Sequence, residues 1–449
     1  MQNDLTRGSV TKSIVCFAAP MIVGNLLQQF YNIADTLIVG RCIGSEALAA
    51  VGSSFSLMSF LTSIFLGLCM GSGIIFSMLF GAKREEELKR SIFMSFVLTG
   101  TIAVAVEILV LLFTDPMLRL LRTPESIMGE TRAYIRIIFA GILFTFLYNF
   151  FASLLRAVGN SVIPLVFLAV AAVSNVALDL VFIIGLDMGV AGAAWATVAA
   201  QALSAAGILV YSMRKVPYLR LRREHLRFSR RAAGQILQYS LLTCMQQSIM
   251  NFGILMIQGL VNSFGVAVMA AFAAAVKIDS FAYMPVQDFG NAFSTFIAQN
   301  YGAGKQERIQ KGIRASAAVA AAFCVVISAV VCGFAEKLML LFVKAKEGEI
   351  IAIGAQYLRI EGACYWGIGI LFLLYGLYRG LGRPGISVIL TVISLGTRVL
   401  LAYTLAPLPR IGLPGIWWAI PIGWVLADVT GIVYYRMLKK KGNLIVVQE

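Results

Sequence analysis

The sequence has little charge. Only 13% of its 449 residues are charged, whereas 59% are apolar, and soluble domains carry about 25% charge. The mean hydropathy is +0.85. This composition excludes a disordered chain, a fibrous repeat and almost any soluble enzyme of this length. It predicts a protein that crosses a membrane many times.

Motifs of enzymes and metalloproteins are also missing. The single histidine, His225, lies in a basic loop, and the seven cysteines show no CxxC spacing. No GxxxxGK[ST] motif is present, which excludes an ATP-driven pump. We therefore expect neither an enzyme nor a resident cofactor. Transport through this chain would be passive or driven by an ion gradient.

Twelve apolar runs are each long enough to span a bilayer, which takes about 20 residues. The first six are 13–38, 52–80, 91–113, 131–155, 160–184 and 190–213, and the other six are 234–260, 273–300, 312–334, 354–378, 385–407 and 412–437. We predict an all-α membrane protein with two six-helix bundles, residues 1–222 and 223–449.

The net charge is +15, and the basic residues lie in short clusters between the apolar runs. This placement argues against a nucleic-acid partner. Of the 37 Lys and Arg residues, 25 lie at the termini and in alternate loops, 10 lie on the opposite side, and Lys277 and Arg398 fall within spans. The positive-inside rule then predicts that both termini and residues 214–233 lie in the cytoplasm. We expect a monomer in the cell (inner or plasma) membrane.

An internal repeat relates the two halves. Residues 133–196 align without a gap on 356–419, and 14 of the 64 positions are identical. The identities include arginines, glycines and a tryptophan, which shared apolar composition does not readily produce: Tyr134/Tyr357, Arg136/Arg359, Arg156/Arg379, Gly159/Gly382, Gly189/Gly412 and Trp195/Trp418. Six spans per half give both halves the same orientation. The expected symmetry axis is a pseudo-two-fold along the membrane normal.

Polar side chains within spans are costly and usually functional. Two carboxylates with amide and hydroxyl oxygens suit Na⁺, and the same pair could take up a proton. The alternative is that Asp35 and Asp179 lie near span ends and only hydrate or cap the helices. The set in the first half is Gln28, Asn32 and Asp35 on one face of the first span, Asn149 in the fourth, Asn175 and Asp179 in the fifth, and Thr197 in the sixth.

The repeat predicts that the cation site lies in the first half alone. At the offset of 223 residues, Asn175 corresponds to Arg398 and Asp179 to Ala402, so the oxygen ligands are lost from the second half. Asn149 and Thr197 likewise correspond to Phe372 and Ile420. For Na⁺, the expected metal ligands are Asp35, Asn175 and Asp179.

The second half has its own polar side chains. Gln247 and Asn251 share one face of the seventh span, and Asp279 lies two residues from Lys277 in the eighth. An ion pair of Asp279 with Lys277 or Arg398 is as plausible as a transport role. A substrate cavity would be lined by Gln28, Asn32, Gln247, Asn251 and Asp279. The roles of Arg398, Lys277 and Asp428 in the last span are left open.

With its twelve spans, the chain resembles the MATE (multidrug and toxic compound extrusion) family. The motifs that carry the resemblance are Tyr31-Asn32-Ile33-Ala34-Asp35-Thr36, Ser174-Asn175-Val176-Ala177-Leu178-Asp179 and Gln299-Asn300-Tyr301-Gly302-Ala303-Gly304. The resemblance implies export of organic cations and toxic compounds in exchange for Na⁺ or H⁺. It also implies an amino-terminal ion site of Asp35, Asn149, Asn175, Asp179 and Thr197, with Tyr134 nearby.

The sequence departs from the NorM-like branch of that family. That branch has an acid in the seventh span, where this chain has Gln246-Gln247, and another in the tenth, which is apolar here around Ile368. The DinF-like branch therefore fits better. Two alternatives remain: a flippase for lipids or lipid-linked precursors from the same superfamily, which usually has a strongly basic cavity, and a passive channel.

Overall fold

The chain folds into helices throughout the part that the structure describes. The computed structural model describes residues 4–120, 124–408 and 411–440, and every regular element in those ranges is helical. This confirms the all-α class. Three of the counted loop charges, Arg122, Arg410 and Lys441, lie outside the described residues.

Ten helices are long and apolar enough to cross a membrane singly, and two bent helix pairs bring the number to as many as twelve. Each predicted span overlaps one helix or one bent pair. The pairs account for the predicted fourth and tenth spans, which bend by 43° after Ala140 and by 53° after Ala363.

The chain divides into two compact units. The first unit contains Val23–Cys244, and the second contains Leu5–Ile22 with Met245–Glu449. The first part of α1 (Val10–Cys42) thus belongs to the second unit, and the first part of α9 (Arg230–Asn262) belongs to the first. The division into lobes at residue 222 stays a prediction from the sequence.

After α1, the first unit contains seven further helices. They are α2 Ser45–Gly81, α3 Glu85–Leu112, α4 Thr114–Leu120, α5 Glu125–Ala140, α6 Ile142–Ala157, α7 Val162–Asp179 and α8 Gly189–Lys215. A π-helical turn, Leu180–Gly185, continues α7. Its core includes the fully buried Phe65, Phe76, Phe139 and Phe150.

Small residues let α2 pack closely against α9 inside the first unit. A Cβ atom added to Gly71 would lie 2.5 Å from Ser240 Cα, so no larger residue fits without a shift of the backbone. The Ser72 hydroxyl is 3.0 Å from that of Ser240 and accepts a hydrogen bond from Ser95. Close packing with interhelical hydroxyl bonds is typical of membrane helices, which cannot rely on the hydrophobic effect to associate.

The second unit has the same order of long helices, without a counterpart of α4 or of the π-helical turn among its described residues. Its helices after α9 are α10 Val266–Gly302, α11 Gln306–Met339, α12 Gly348–Ala363, α13 Tyr365–Gly380, α14 Pro384–Leu405 and α15 Leu413–Lys440. The helices α12 and α13 lie 223 residues after α5 and α6 at both ends, so the breaks at Gly141 and Cys364 are equivalent.

The backbone repeats as well as the helix bounds. Gly159 and Gly382 have φ of 84° and 76°, and Gly189 and Gly412 have φ of 58° and 54°. These left-handed conformations explain why glycine occurs at both positions of the repeat, because a Cβ atom would strain the turn. The matched glycines noted in the sequence therefore serve the connections between spans.

Candidate functional site

A pair of acidic side chains lies within the first unit. Asp35 of α1 and Asp179, the last residue of α7, lie within hydrogen-bonding reach of each other. Asp179 is fully buried and Asp35 is half-buried. Two carboxyl groups in contact cannot both stay ionised without compensation, so a proton or a cation between them stabilises the pair.

Asn175 and Thr197 extend the pair. The Asn175 amide nitrogen donates to Asp179 Oδ2 at 3.0 Å, and its oxygen accepts from Thr197 Oγ1 at 3.2 Å and from the Thr197 backbone nitrogen at 3.3 Å. Because Asn175 and Asp179 are one helical turn apart on α7, they present their polar groups to α8 on the same face. The amide thus orients Asp179 from one side.

Two tyrosines complete the cluster. Tyr31 lies one turn before Asp35 on α1, and its hydroxyl lies within reach of the Thr197 hydroxyl. Tyr134 of α5 is 3% exposed and lies within electrostatic range of Asp35, Asp179 and Tyr31. The coupling cluster, as we call it, comprises Asp35, Asp179, Asn175, Thr197, Tyr31 and Tyr134.

Two carboxyl oxygens of the coupling cluster accept no hydrogen bond from the part of the chain that the structure describes and are available to bind an ion. Among the described residues, none donates a hydrogen bond to Asp35 Oδ1 or to Asp179 Oδ1, although both atoms are buried. Immediately after Asp179 the helix widens into the π-helical turn, a local irregularity that is frequent at functional sites. An oxygen-rich site with unsatisfied carboxylate oxygens suits a proton or a small hard cation.

Unlike Tyr134, which lies within electrostatic range, Asn149 has no described contact with this cluster. It is half-buried on α6, and its amide nitrogen donates to the Thr145 carbonyl oxygen of the same helix at 2.8 Å. Its part in ion binding stays a prediction. Tyr31, by contrast, enters the cluster although the sequence analysis gave it no role there. Its i, i+4 spacing from Asp35 was the available signal.

The second unit contains another acidic cluster. Asp279 of α10 and Glu361 of α12 lie within hydrogen-bonding reach of each other, and Tyr365 donates to Asp279 Oδ1 at 2.7 Å. Tyr357 contacts both acids, and Arg398 lies within their electrostatic range. Both carboxyl groups are almost fully buried. We call this group the α12 cluster.

Sequence reasoning missed Glu361. The tenth span was described as apolar around Ile368, but Glu361 precedes the break of that span and is 1% exposed. Its spacing of four residues from Tyr357 would have placed both side chains on one helical face. Tyr357 is held by an edge-on contact with Trp417, at 4.9 Å between ring centroids.

The residues predicted to line a substrate cavity lie in both units. Gln28 and Asn32 are half-buried on α1, and Gln247 and Asn251 are half-buried on α9, where Asn251 donates to the Gln247 carbonyl oxygen at 3.3 Å. Asp279 is engaged in the α12 cluster. The cavity stays a prediction.

Comparison with known families supports the repeat. The MatE family model matches residues 20–181 and again residues 243–404, so the second match begins and ends 223 residues after the first. This is the offset found in the sequence. The repeat is thus present in the family's own pattern.

Curated relatives share the full length of the chain. The chain is 31% identical over 437 residues to the probable multidrug resistance protein YpnP of Bacillus subtilis, with 96% of each chain covered. It is 23% identical to the probable multidrug resistance protein NorM of Thermotoga maritima, with 98% of this chain and 95% of the relative covered.

Solved structures show the same fold. A transporter of the MOP superfamily from Pyrococcus furiosus superposes with a TM-score of 0.90, at 24% identity and with 96% of each chain covered. A MATE protein in a straight conformation superposes with a TM-score of 0.88 at 25% identity, with 96% of this chain and 97% of that chain covered.

The many apolar helices, with a fold shared with MATE proteins, define the class of multi-span membrane transporters. The chain is a member of the MATE family, because the family model covers most of its length and a relative above 30% identity spans nearly all of it.

Proposed function

We propose that the chain is a secondary active multidrug efflux transporter. It exports organic cations and other toxic compounds, acting as a monomer, by antiport with H⁺ or Na⁺ at the coupling cluster. Relatives named as multidrug resistance proteins support the substrate class. One observation carries the coupling: the Asp35–Asp179 pair, which needs a shared proton or cation and keeps carboxylate oxygens without donors.

The exchange follows from this chemistry. An ion between Asp35 and Asp179 neutralises the pair, and its loss leaves two negative charges in one buried site. The ion's binding free energy therefore differs between conformations that hold the two acids together and those that do not. A gradient of that ion can then drive export of the substrate, because each ligand shifts the population of conformations that the other binds.

Two other functions make different demands on the side chains. A lipid-precursor flippase of the same superfamily would need a strongly basic cavity, whereas Arg398, the basic residue nearest the middle of a predicted span, lies beside an acidic cluster. A passive channel would give no reason to bury a pair of acids that must share an ion. We also propose that the chain belongs to the DinF-like branch, because Gln246-Gln247 stands in the seventh span where the NorM-like branch has an acid.

Flux measurements in proteoliposomes test the proposal. Efflux of a fluorescent organic cation is followed with a Na⁺ gradient alone, with a pH gradient alone and with neither. We expect one gradient to drive efflux, and Asp35→Asn or Asp179→Asn to abolish that dependence at normal membrane expression. The matched control is Glu107→Gln, which removes a half-buried carboxyl of α3 outside the cluster. Wild-type coupling in either Asp variant would exclude this site.

We propose the plasma membrane as the location, with both termini and the linker 214–233 in the cytoplasm. The support is the excess of Lys and Arg on that side. A single cysteine at Ser229, in a variant lacking the seven native cysteines, tests the orientation. An impermeant thiol reagent should label it in inverted vesicles and leave it unlabelled in intact cells. Labelling of intact cells would reverse the orientation.

A further inference from the structure

The linker between the two halves is folded onto the first unit. Val216 is 3% exposed, and the Tyr218 ring meets Phe80 of α2 edge-on, with 5.8 Å between centroids. Two short 3-10 turns, Pro217–Leu219 and Arg223–Leu226, give it a defined shape. A segment that only connected two bundles would need neither the packing nor the turns.

His225 fastens this linker to α3. Its Nδ1 accepts a hydrogen bond from the Arg222 backbone nitrogen at 2.7 Å, so its proton is on Nε2, which donates to Glu86 Oε2 at 2.5 Å. The His225 side chain is buried, and Glu86 also accepts from Lys89 Nζ at 2.9 Å. The one histidine of the chain therefore holds the second turn in place.

A metal site at this point does not fit the hydrogen bonds. Glu86, Glu224 and His225 bring potential ligand atoms within 4.8 Å of one another. However, a metal on Nε2 of neutral His225 would require the proton on Nδ1, which faces the Arg222 N–H group. The histidine is thus better explained as a positioning residue for the arginines beside it.

The fastened turn presents a basic cavity. Arg222, Arg223 and Arg227, with Glu224, line a cavity of about 420 Å³. The Arg222 guanidinium is 3.7 Å from the Glu224 carboxylate, but both side chains are largely exposed, so the pair leaves the cavity positively charged. Guanidinium groups match the geometry of phosphate oxygens with paired hydrogen bonds.

Two exposed apolar side chains flank Arg227 in the chain. Phe228 is 68% exposed and Leu226 is 47% exposed. A soluble phosphate would gain nothing from them. Apolar side chains beside arginines are the combination that inserts into the boundary of a bilayer while cations contact the head groups.

We propose that the linker binds the phosphate head group of an anionic phospholipid, with Phe228 and Leu226 entering the acyl region beside it. The guanidinium groups of Arg222, Arg223 and Arg227 contact the phosphate. The orientation proposed above puts the linker at the anionic leaflet of the membrane. The binding test itself does not depend on that orientation or on transport, so the two proposals fail separately.

The test uses the purified full-length chain in detergent. It is titrated with phosphatidylglycerol or phosphatidylcholine, and bound lipids are counted by native mass spectrometry. The test variant is Arg222→Gln/Arg223→Gln/Arg227→Gln. The control is Arg436→Gln/Lys439→Gln/Lys440→Gln, which removes three exposed charges at the end of α15. We expect at least about tenfold weaker phosphatidylglycerol binding in the test variant and little change in the control.

Two further measurements distinguish the ligand. Leu226→Ser/Phe228→Ser should weaken phosphatidylglycerol binding several-fold, and millimolar inorganic phosphate should compete poorly against the lipid. An equal loss in both triple variants would show diffuse charge attraction and overturn the site. Full competition by inorganic phosphate, with no effect of the serine variant, would make the ligand a soluble phosphate and overturn the lipid proposal.

Discussion

Asn175 and Arg398 occupy the same position of the internal repeat, and each lies beside a pair of close carboxyl groups in its own unit. The matched tyrosines of the repeat also lie at these sites, Tyr134 at the coupling cluster and Tyr357 at the α12 cluster. Each half thus has an acidic cluster beside this repeat position, although the acids themselves are not equivalent, since Asp179 corresponds to Ala402 and Glu361 to Ile138. The neighbour of the acids also differs, an amide in one half and a guanidinium in the other.

Arg398 supplies the α12 cluster with a fixed positive charge. We predict that Arg398→Ala lowers stability by roughly 1–3 kcal/mol, because it leaves two buried acids without their cation. The ion that drives transport should not change. Thermal unfolding in detergent and ion-dependent flux measure the two effects.

A second substitution at an acid of the same cluster tests whether the lost charge pairing is the cause. Adding Glu361→Gln to Arg398→Ala removes one acid and should restore much of the lost stability, whereas Lys277→Gln should have little effect on it. If Arg398→Ala is stable but switches or abolishes ion dependence, coupling is not confined to the first unit.

Thr197 holds Asn175 by a hydroxyl bond of 3.2 Å, and Asn175 holds Asp179. We predict that Thr197→Val raises the half-maximal concentration of the driving ion about three- to tenfold, the value of one hydrogen bond of about 1 kcal/mol. Thr197→Ser keeps the hydroxyl and should stay near wild type. The measurement is exchange rate against ion concentration, and equal behaviour of the two variants would remove Thr197 from the site.

Gly376 and Gly290 allow α13 to lie against α10. A Cβ atom on Gly376 would come within 2.4 Å of the Gly290 carbonyl oxygen. Gly376→Ala should therefore destabilise the protein by roughly 1–3 kcal/mol, since the backbone must move. Gly259→Ala is the control, because an added Cβ there meets nothing within 4 Å and alanine favours a helix. Thermal unfolding compares the two, and equal melting temperatures would contradict the packing.

The spans were predictable from the sequence, and so was the repeat, because long apolar runs and repeated glycines are local signals. The bends after Ala140 and Ala363 were not, since neither is marked by proline. The site was recovered only in part. Asp35 and Asp179 were recognised because a charge in a span is conspicuous. Glu361 also lies within a predicted span, but it was missed because that span was judged by its apolar stretch around Ile368, two turns further on. Its pairing with Asp279 of another helix appears only in the fold.

The Gln299–Gly304 motif also acquires a role that its sequence did not indicate. Leu5 donates its backbone N–H to Gln299 Oε1 at 3.2 Å, and Asn300 Nδ2 donates to the Leu5 carbonyl oxygen at 3.2 Å. Just beyond the motif, Lys305 Nζ donates to the Thr6 carbonyl oxygen at 2.7 Å. The motif thus binds the segment before α1 within the second unit.

Arg308 is the centre of this attachment. Its guanidinium donates to the carbonyl oxygens of Leu5, Arg7 and Gly8, at distances down to 2.6 Å, and lies 5.5 Å from the Phe296 ring centroid. Arg308→Ala removes these bonds and should lower the free energy of opening the amino-terminal segment by roughly 1–3 kcal/mol. Amide hydrogen exchange of residues 5–22 should then accelerate about fivefold or more. Lys311→Ala, an exposed cation on the same helix, is the matched control. Unchanged exchange in Arg308→Ala would show that the remaining contacts hold the amino terminus without it.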